Sequence, residues 1–512
     1  MALWGVSVGL MLLSLQSLAL ASKNFWLIQQ RVLQLREERI LKEVSRQQQQ
    51  LSQGPASLKW QPLQMGYIRQ PLDHFNKREP ITFGQRFWIN EQYWQKPGGP
   101  VFLYIGGESA LSQSSVLSGH HVELAQKYGA LLVSLEHRFY GRSINLDGLQ
   151  DKNLQFLSSQ QALSDLVSFH HYVTQKYGLM SNNTWICFGG SYPGSLAAWF
   201  RLKFPHLVFA AVSSSAPVRA QLDFTGYNKV VAASLSNPVV GGSKECLAAV
   251  VKAFGAVDGL IRSRQLTKVA RDFHSCGALE GDEDGFQALS NLADIFMGAV
   301  QYNDESVYWG AVDGLCDIMT NHTLGTPYDR LIVANKLFLN VMELPCTDNS
   351  YADLLEELRS TVVSGSNDFF RQWIFQTCTE FGYYQTCEDS ECPFSQLINL
   401  TSSLEICKEV FGISPPSIQD AVSFTNDYYG ADHPKASRVL FVNGDIDPWH
   451  VLSVLKNQSS SELAILIHGT AHCANMNPSM PGDPASLVQA REQISSQVAD
   501  WLKLAGKMHQ GS

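Results

Sequence analysis

A chain of 512 residues is too long for one ordinary domain and fits two or three. Apolar residues make up 45% of it and charged residues only 17%, with 38 Gly and 20 Pro, which excludes a disordered, collagen-like or coiled-coil chain. With 38 basic against 47 acidic residues and a net charge of −9, there is no basic field for a phosphate backbone, and nucleic acid is not an expected partner.

Residues 2–21 hold no charge, have a Leu-rich centre and end in Ala19-Leu20-Ala21. Small residues at −1 and −3 suit signal peptidase, so residues 1–21 are expected to be a signal peptide, with an uncleaved anchor as the rival reading. No later run approaches the roughly 18 apolar residues of a membrane span. The mature chain is therefore expected in the secretory pathway, in endosomal or lysosomal vesicles or secreted, with no stable membrane insertion. Residues 22–55 are rich in Gln, Glu and Arg, with Ile28, Val32, Leu35, Leu41 and Val44 near helical spacing, which predicts an amphipathic N-terminal arm or a removable pro-segment.

From residue 56 a strand–helix rhythm predicts a mainly parallel sheet. Strands are expected at 101–105, 130–135, 185–188 and 210–213, and helices at 162–177 and 195–204. The rhythm stops near Pro217. Residues 219–432 read as helical and hold eight of the ten cysteines, between Cys246 and Cys407, which predicts a stapled module made in an oxidising compartment. Cys187 and Cys473 are expected to be buried free thiols. No CxxC spacing occurs, so no metal is expected there. Strands resume at 439–442 and 464–467, and a terminal helix follows at 488–504. The division is thus 56–218 and 433–512 for a sheet domain, interrupted by a cap at 219–432. Sequons at Asn182, Asn321, Asn399 and Asn457 are candidate glycosylation sites.

The strongest local feature is the run from Cys187 to Gly194, Cys-Phe-Gly-Gly-Ser-Tyr-Pro-Gly. A strand entering Gly-Gly-Ser and then a helix is the setting of a nucleophile elbow, in which the serine, Ser191, stands exposed above the sheet edge. The strict G-x-S-x-G pattern is broken, because Pro193 takes the place of the second glycine and Gly194 comes one later. The plain alternative is a Gly-rich turn with an N-cap serine. Downstream, the strand at 439–442 ends in Asn443-Gly444-Asp445-Ile446-Asp447-Pro448-Trp449, and the next in His468-Gly469-Thr470-Ala471-His472-Cys473. The order serine, acid, histidine on loops after strands predicts the α/β-hydrolase fold with an inserted, disulfide-stapled helical cap. A serine is a poor nucleophile at neutral pH, so it needs a base, and the base needs an acid to hold its tautomer.

These residues resemble the serine peptidase family of prolylcarboxypeptidase and dipeptidyl peptidase II. The segment from Glu136 to Ser143, the elbow Gly190-Ser191-Tyr192-Pro193-Gly194, and the loops Asn443-Gly444 with Asp447-Pro448-Trp449 and Ala471-His472-Cys473 carry the likeness, which runs over most of the chain. The resemblance accounts for Pro193 and implies a triad of Ser191, Asp447 and His472. It also implies a serine exopeptidase that cuts after proline through an acyl-enzyme.

Asp445 and His468 are the rivals for acid and base, and His450 is a candidate pocket residue. A metal site at His468, His472 and Cys473 is opposed by Gly469, and Ser191 leaves Cys473 no role as nucleophile. The oxyanion hole is expected from the backbone N–H groups of Tyr192 and Gly107. Glu108 and Trp449 are expected to bind substrate, Glu108 by meeting a free chain terminus. A base with histidine's ordinary pKa predicts a mildly acidic to neutral optimum. No cofactor is expected. The partners are peptide substrates, with a homodimer as a further expectation. The alternatives are an esterase or lipase of the same fold, and a relative that binds without turnover.

Overall fold

A computed structural model describes residues 23–52, 63–78, 80–303, 311–363 and 369–510; the expected signal peptide lies outside them. Ten strands occur among the described residues: β1 (Gln64–Pro71), β2 (Thr82–Asn90), β3 (Val101–Ile105), β4 (Leu131–Leu135), β5 (Trp185–Gly190), β6 (Ala210–Ser214), β7 (Gln221–Asp223), β8 (Gly382–Tyr384), β9 (Val439–Gly444) and β10 (Glu462–Ile467). Eight form one sheet in the order β1-β2-β4-β3-β5-β6-β9-β10. β2 is antiparallel to both β1 and β4, and every other pairing in this sheet is parallel.

The central strands are apolar at nearly every position because both faces of the sheet are covered. Val101, Leu103, Ile105, Leu131, Val133, Leu135 and Cys187 face helices Ser159–Tyr177 and Tyr192–Lys203. The alternate residues Phe102, Leu132, Ile186 and Phe188 face His120–Tyr128 and Ala485–Gln510. The period of two along each strand thus sorts one apolar run into two cores. This doubly covered sheet, with a strand–turn–helix after β5, is the α/β-hydrolase fold.

The chain leaves the sheet after Ser214 and re-enters it at Val439. The insert between them is mainly helical and is stapled by Cys246–Cys316, Cys276–Cys346, Cys378–Cys407 and Cys387–Cys392. Cys187 and Cys473 are free and buried. Among the described residues the insert departs from a purely helical reading where β7 and β8 pair in parallel, Gln221 opposite Gly382 and Asp223 opposite Tyr384, and at an isolated bridge between Ser275 and Thr347. Three residues of pairing are too short to leave an alternating signature in the sequence.

Residues 22–55 were expected to hold an amphipathic arm, and Lys23–Ser52 is one helix. Trp26, Ile28 and Val32 are buried, and Ile28 packs on Gly298 of the insert helix Asp282–Gln301. Asn24 Nδ2 donates to the Asn291 carbonyl at 3.0 Å, and Phe25 N–H donates to Asp294 Oδ2 at 3.0 Å. The arm is therefore seated on the insert by both apolar and polar contacts.

Candidate active site

Ser191 follows β5 and precedes helix Tyr192–Lys203, with φ of 62° and ψ of −135°. A serine at positive φ is strained by about 1–3 kcal/mol, which the surrounding structure must hold in place. Ser191 N–H donates to the Ser214 carbonyl at 3.0 Å, tying the turn to β6, and the Ser191 carbonyl accepts from Gly194 N–H at 2.8 Å and Ser195 N–H at 3.1 Å. Pro193 is tolerated because the leading N–H groups of a helix have no intrahelical acceptor. The close approach to β6 falls at Gly194 instead, where a Cβ would lie 2.6 Å from the Ser214 carbonyl oxygen. The displaced glycine in the motif thus has a steric reason.

Asp447 and His472 stand on the loops after β9 and β10. His472 Nδ1 lies 2.9 Å from Asp447 Oδ1, and the side chains are 6% and 0% exposed. Asp447 also caps the turn that follows it, Oδ1 accepting from Trp449 N–H at 3.0 Å. Ile446 N–H donates to the Thr470 carbonyl at 3.1 Å, which holds the two loops together. The rivals pair with each other outside. His468 Nδ1 lies 2.9 Å from Asp445 Oδ2, with the His468 side chain 81% exposed, and Asp445 Oδ1 accepts from Gly469 N–H at 2.7 Å. His450 Nδ1 lies 2.6 Å from the Asp447 carbonyl oxygen.

Burial most strongly disfavours the charged form of His472, but the Asp447 carboxylate and the neighbouring Cys473 together favour it, and the pKa of His472 is raised well above its ordinary value. A histidine held charged must lose its proton before it can act as a base.

Ser191 borders two cavities. One, of about 240 Å³, is shared with Gly107, Glu108, Tyr302, His472 and Cys473. The other, of about 150 Å³, lies under the insert and is lined by Tyr192, Tyr383, Trp449 and Glu108 among others. Trp449 packs against Phe224, Tyr227 and Tyr383, with ring centroids 5.4, 5.7 and 5.3 Å away. Glu108 borders both cavities, and burial raises the pKa of its carboxyl. Tyr192 opens the elbow helix, and its hydroxyl lies 3.0 Å from His137 Nε2 and accepts from Gln376 Nε2 at 3.2 Å. Gly107 faces the elbow so closely that a Cβ there would sit 2.3 Å from Pro193 Cγ.

The N-terminal helix roofs both spaces. Phe25, Trp26 and Gln29 line the cavity under the insert, and Leu33, Arg36, Glu37 and Ile40 line the other.

Gln301, the last residue of helix Asp282–Gln301, escaped the sequence reading. Its Oε1 accepts from Trp449 Nε1 and from the Tyr227 hydroxyl, each at 2.7 Å, and its carbonyl accepts from His472 N–H at 3.1 Å. One insert residue therefore holds the acid turn through Trp449 and the backbone of the histidine. No motif marks it, since a glutamine ending a helix far from both loops has no local signature.

The family model described as serine carboxypeptidase S28 matches residues 70–494. The chain is 47% identical over 449 residues to the human thymus-specific serine protease, covering 86% of this chain and 87% of that protein. It is 37% identical over 452 residues to the Caenorhabditis elegans putative serine protease K12H4.7, covering 85% and 87%. To the bovine lysosomal Pro-X carboxypeptidase it is 28% identical over 456 residues, covering 85% and 87%.

Proposed function

The chain belongs to the serine carboxypeptidase S28 family and is a serine peptidase, and from that premise we propose that Ser191, Asp447 and His472 are its catalytic triad. The observation that carries the reading is the buried contact of 2.9 Å between His472 Nδ1 and Asp447 Oδ1, beside a cavity that the strained Ser191 shares. His472 Nε2 takes the Ser191 hydroxyl proton as Oγ attacks the scissile carbonyl. The N–H groups of Tyr192 and Gly107 receive the oxyanion. The proton then passes to the leaving amine, and water returns the acyl-enzyme to free serine by the reverse roles.

The substrate is a peptide approached from a chain end and cut after proline. The insert and the N-terminal helix wall the space beside Ser191, which favours a chain end over a folded loop. The aromatic lining of Tyr192, Tyr383 and Trp449 suits a rigid pyrrolidine ring, and a relative carries the name Pro-X carboxypeptidase. Glu108 supplies a charge for the substrate's terminus. The proposal extends to peptide processing for antigen presentation in the thymus, of which the name of the human relative supports the tissue alone.

The proposed route is a signal peptide at 1–21, four cystines and glycans on exposed Asn182, Asn321 and Asn457 and on half-buried Asn399. Among the described residues no helix is long and apolar enough to cross a membrane. The lysosomal relative supports an endosomal or lysosomal destination.

The test is covalent labelling by a fluorophosphonate, with digestion of a peptide library mapped by mass spectrometry. Ser191→Ala should abolish labelling and lower turnover by up to about a million-fold without unfolding the protein. Labelling that survives Ser191→Ala would move the nucleophile elsewhere. Cuts spread through peptide interiors without regard to proline would sink the substrate assignment and leave the triad standing.

A further inference from the structure

One motif that carries the family likeness has no part in the triad: the segment from Glu136 to Ser143, which follows β4. Its first two residues stand behind both proposed oxyanion donors. Glu136 is buried, and its Oε1 accepts from Leu111 N–H at 2.9 Å and from Arg86 Nη2 at 2.5 Å. Arg86 Nη2 also donates to the Leu111 carbonyl at 2.8 Å. The loop that carries Gly107 is thereby fastened at its far end. At its near end, Gly106 N–H donates to the Leu135 carbonyl at 3.0 Å, and a Cβ on Gly106 would lie 3.1 Å from Glu136 Cα and 3.2 Å from His137 N.

His137 meets the other donor through its side chain. The residue is buried; Nδ1 lies 2.7 Å from the Arg138 carbonyl oxygen and Nε2 lies 3.0 Å from the Tyr192 hydroxyl. A carbonyl only accepts, so Nδ1 carries the proton and the neutral ring offers Nε2 as an acceptor. Burial lowers the pKa of His137 to about 4, which keeps the ring uncharged at neutral pH. Tyr192 Oη therefore donates to His137. It also accepts from Nε2 of Gln376, the last residue of insert helix Phe370–Gln376, at 3.2 Å. Gln376 is fixed in turn, its Oε1 accepting from the Tyr140 hydroxyl at 2.6 Å and its Nε2 donating to Glu380 Oε2 at 3.0 Å. Donors and acceptors alternate without conflict from His137 to Glu380.

The Tyr192 hydroxyl is thus held from the sheet domain on one side and from the insert on the other. Packing alone does not require this grip, because the ring already rests on Phe381 and Trp373, with centroids 5.3 and 5.9 Å away. A phenylalanine would fill the same space with no buried polar group to satisfy. The use of the grip lies at the backbone of the same residue. Tyr192 is the first residue of the elbow helix, beside the strained Ser191, where no preceding helical turn steadies the chain.

We propose that His137 is a positioning residue of the oxyanion hole: through the Tyr192 hydroxyl, with Gln376 on its other side, it fixes the direction of the Tyr192 N–H. The proposal rests on the reading of Ser191 as nucleophile and Tyr192 N–H as oxyanion donor. No bond of the reaction forms or breaks at His137. Removing an oxyanion donor costs about a hundred- to a thousandfold in kcat, and a donor aimed wrongly loses part of that. The loss falls on the transition state and spares the binding of substrate.

The test compares the full native chain with His137→Leu, Tyr192→Phe, the double variant and His137→Gln. Each hydrolyses one proline peptide and binds a peptidyl trifluoromethyl ketone, which adds to Ser191 as a tetrahedral oxyanion. Fluorophosphonate labelling run to completion counts the folded active sites. His137→Leu and Tyr192→Phe should each lower kcat about ten- to a hundredfold with KM within about threefold, and should weaken the ketone by the same factor. The double variant should lose little more than either alone, because both changes remove one contact. His137→Gln keeps an acceptor within reach of the hydroxyl and should recover most of the rate. Where His137→Leu fails to fold, Tyr192→Phe, which removes only an oxygen, carries the test. A kcat within about twofold of native in Tyr192→Phe, a loss confined to KM, an unchanged ketone affinity, or losses that multiply in the double variant would each overturn the proposal. A native protein that the fluorophosphonate does not label would instead bring down the Ser191 reading beneath it.

Discussion

Replacing Gln301 by leucine keeps the volume of the side chain and removes the acceptor shared by Trp449 Nε1 and the Tyr227 hydroxyl. Both donors and Gln301 itself are buried. A buried donor left unpaired costs about 1–3 kcal/mol, so two cost roughly 2–5 kcal/mol. In a protein of this size, whose unfolding entropy is about 1 kcal/mol/K, that lowers Tm by roughly 2–5 °C. The catalytic effect runs through Trp449, whose backbone N–H holds Asp447 Oδ1. Loosening that turn by a fraction of an ångström should lower kcat by about ten- to a hundredfold, equivalent to about 1.4–2.8 kcal/mol of barrier. The assays are thermal unfolding followed by near-UV circular dichroism and steady-state hydrolysis of a proline peptide. Tyr227→Phe removes one donor without an orphan, so the double variant should lose clearly less than the sum of the two single losses. An unchanged Tm and kcat in Gln301→Leu, or strict additivity with Tyr227→Phe, would refute the clamp.

Asp447→Asn should cost about ten-thousand-fold in kcat by favouring the wrong imidazole tautomer, whereas Asp445→Asn, which touches only the exposed pair with His468, should stay within about threefold. The reverse pattern would move the acid to Asp445. Because His472 has a raised pKa, the acidic limb of kcat/KM should lie above pH 6.5, and in Asp447→Asn it should fall back to or below that value. The same shift makes the stability from the pair full below about pH 6.5 and lost as pH climbs through the raised pKa, so Tm should decline over that alkaline window and decline less in Asp447→Asn. Mass mapping of the unreduced protein should find the four cystines of the insert and two free thiols, Cys187 and Cys473; either of these two in a disulfide would contradict the fold.

What the sequence makes legible follows from how much of the signal is local. β3, β5 and β9 announce themselves because a strand buried on both faces must be apolar throughout, and Ser191 and the two later loops stand at the ends of such runs. The elbow helix begins at Tyr192 rather than at 195, because Pro193 and Gly194 look like breakers yet sit in the first turn, where no N–H bond is lost. β1 and β2 escaped notice. β1 lies at the sheet edge with Met65 and Tyr67 exposed, so its outward residues carry no polar alternation to read. The insert hides most. Gln301, Asp294 and Gln376 reach the site only through tertiary packing, and a helix face of mixed polarity looks the same whether it borders solvent or a cavity.

The contact between Pro193 and Gly107 makes two distant positions behave as one inherited character. While the pyrrolidine ring occupies the space above residue 107, any side chain there collides with it, so drift at 107 is closed in every descendant that keeps the proline. A lineage that exchanged Pro193 for glycine would open that space, and residue 107 could then vary. The order of the two changes is not interchangeable: 193 must go first. An apparently neutral departure from a consensus motif thereby decides which later mutations the backbone at residue 107 can accept.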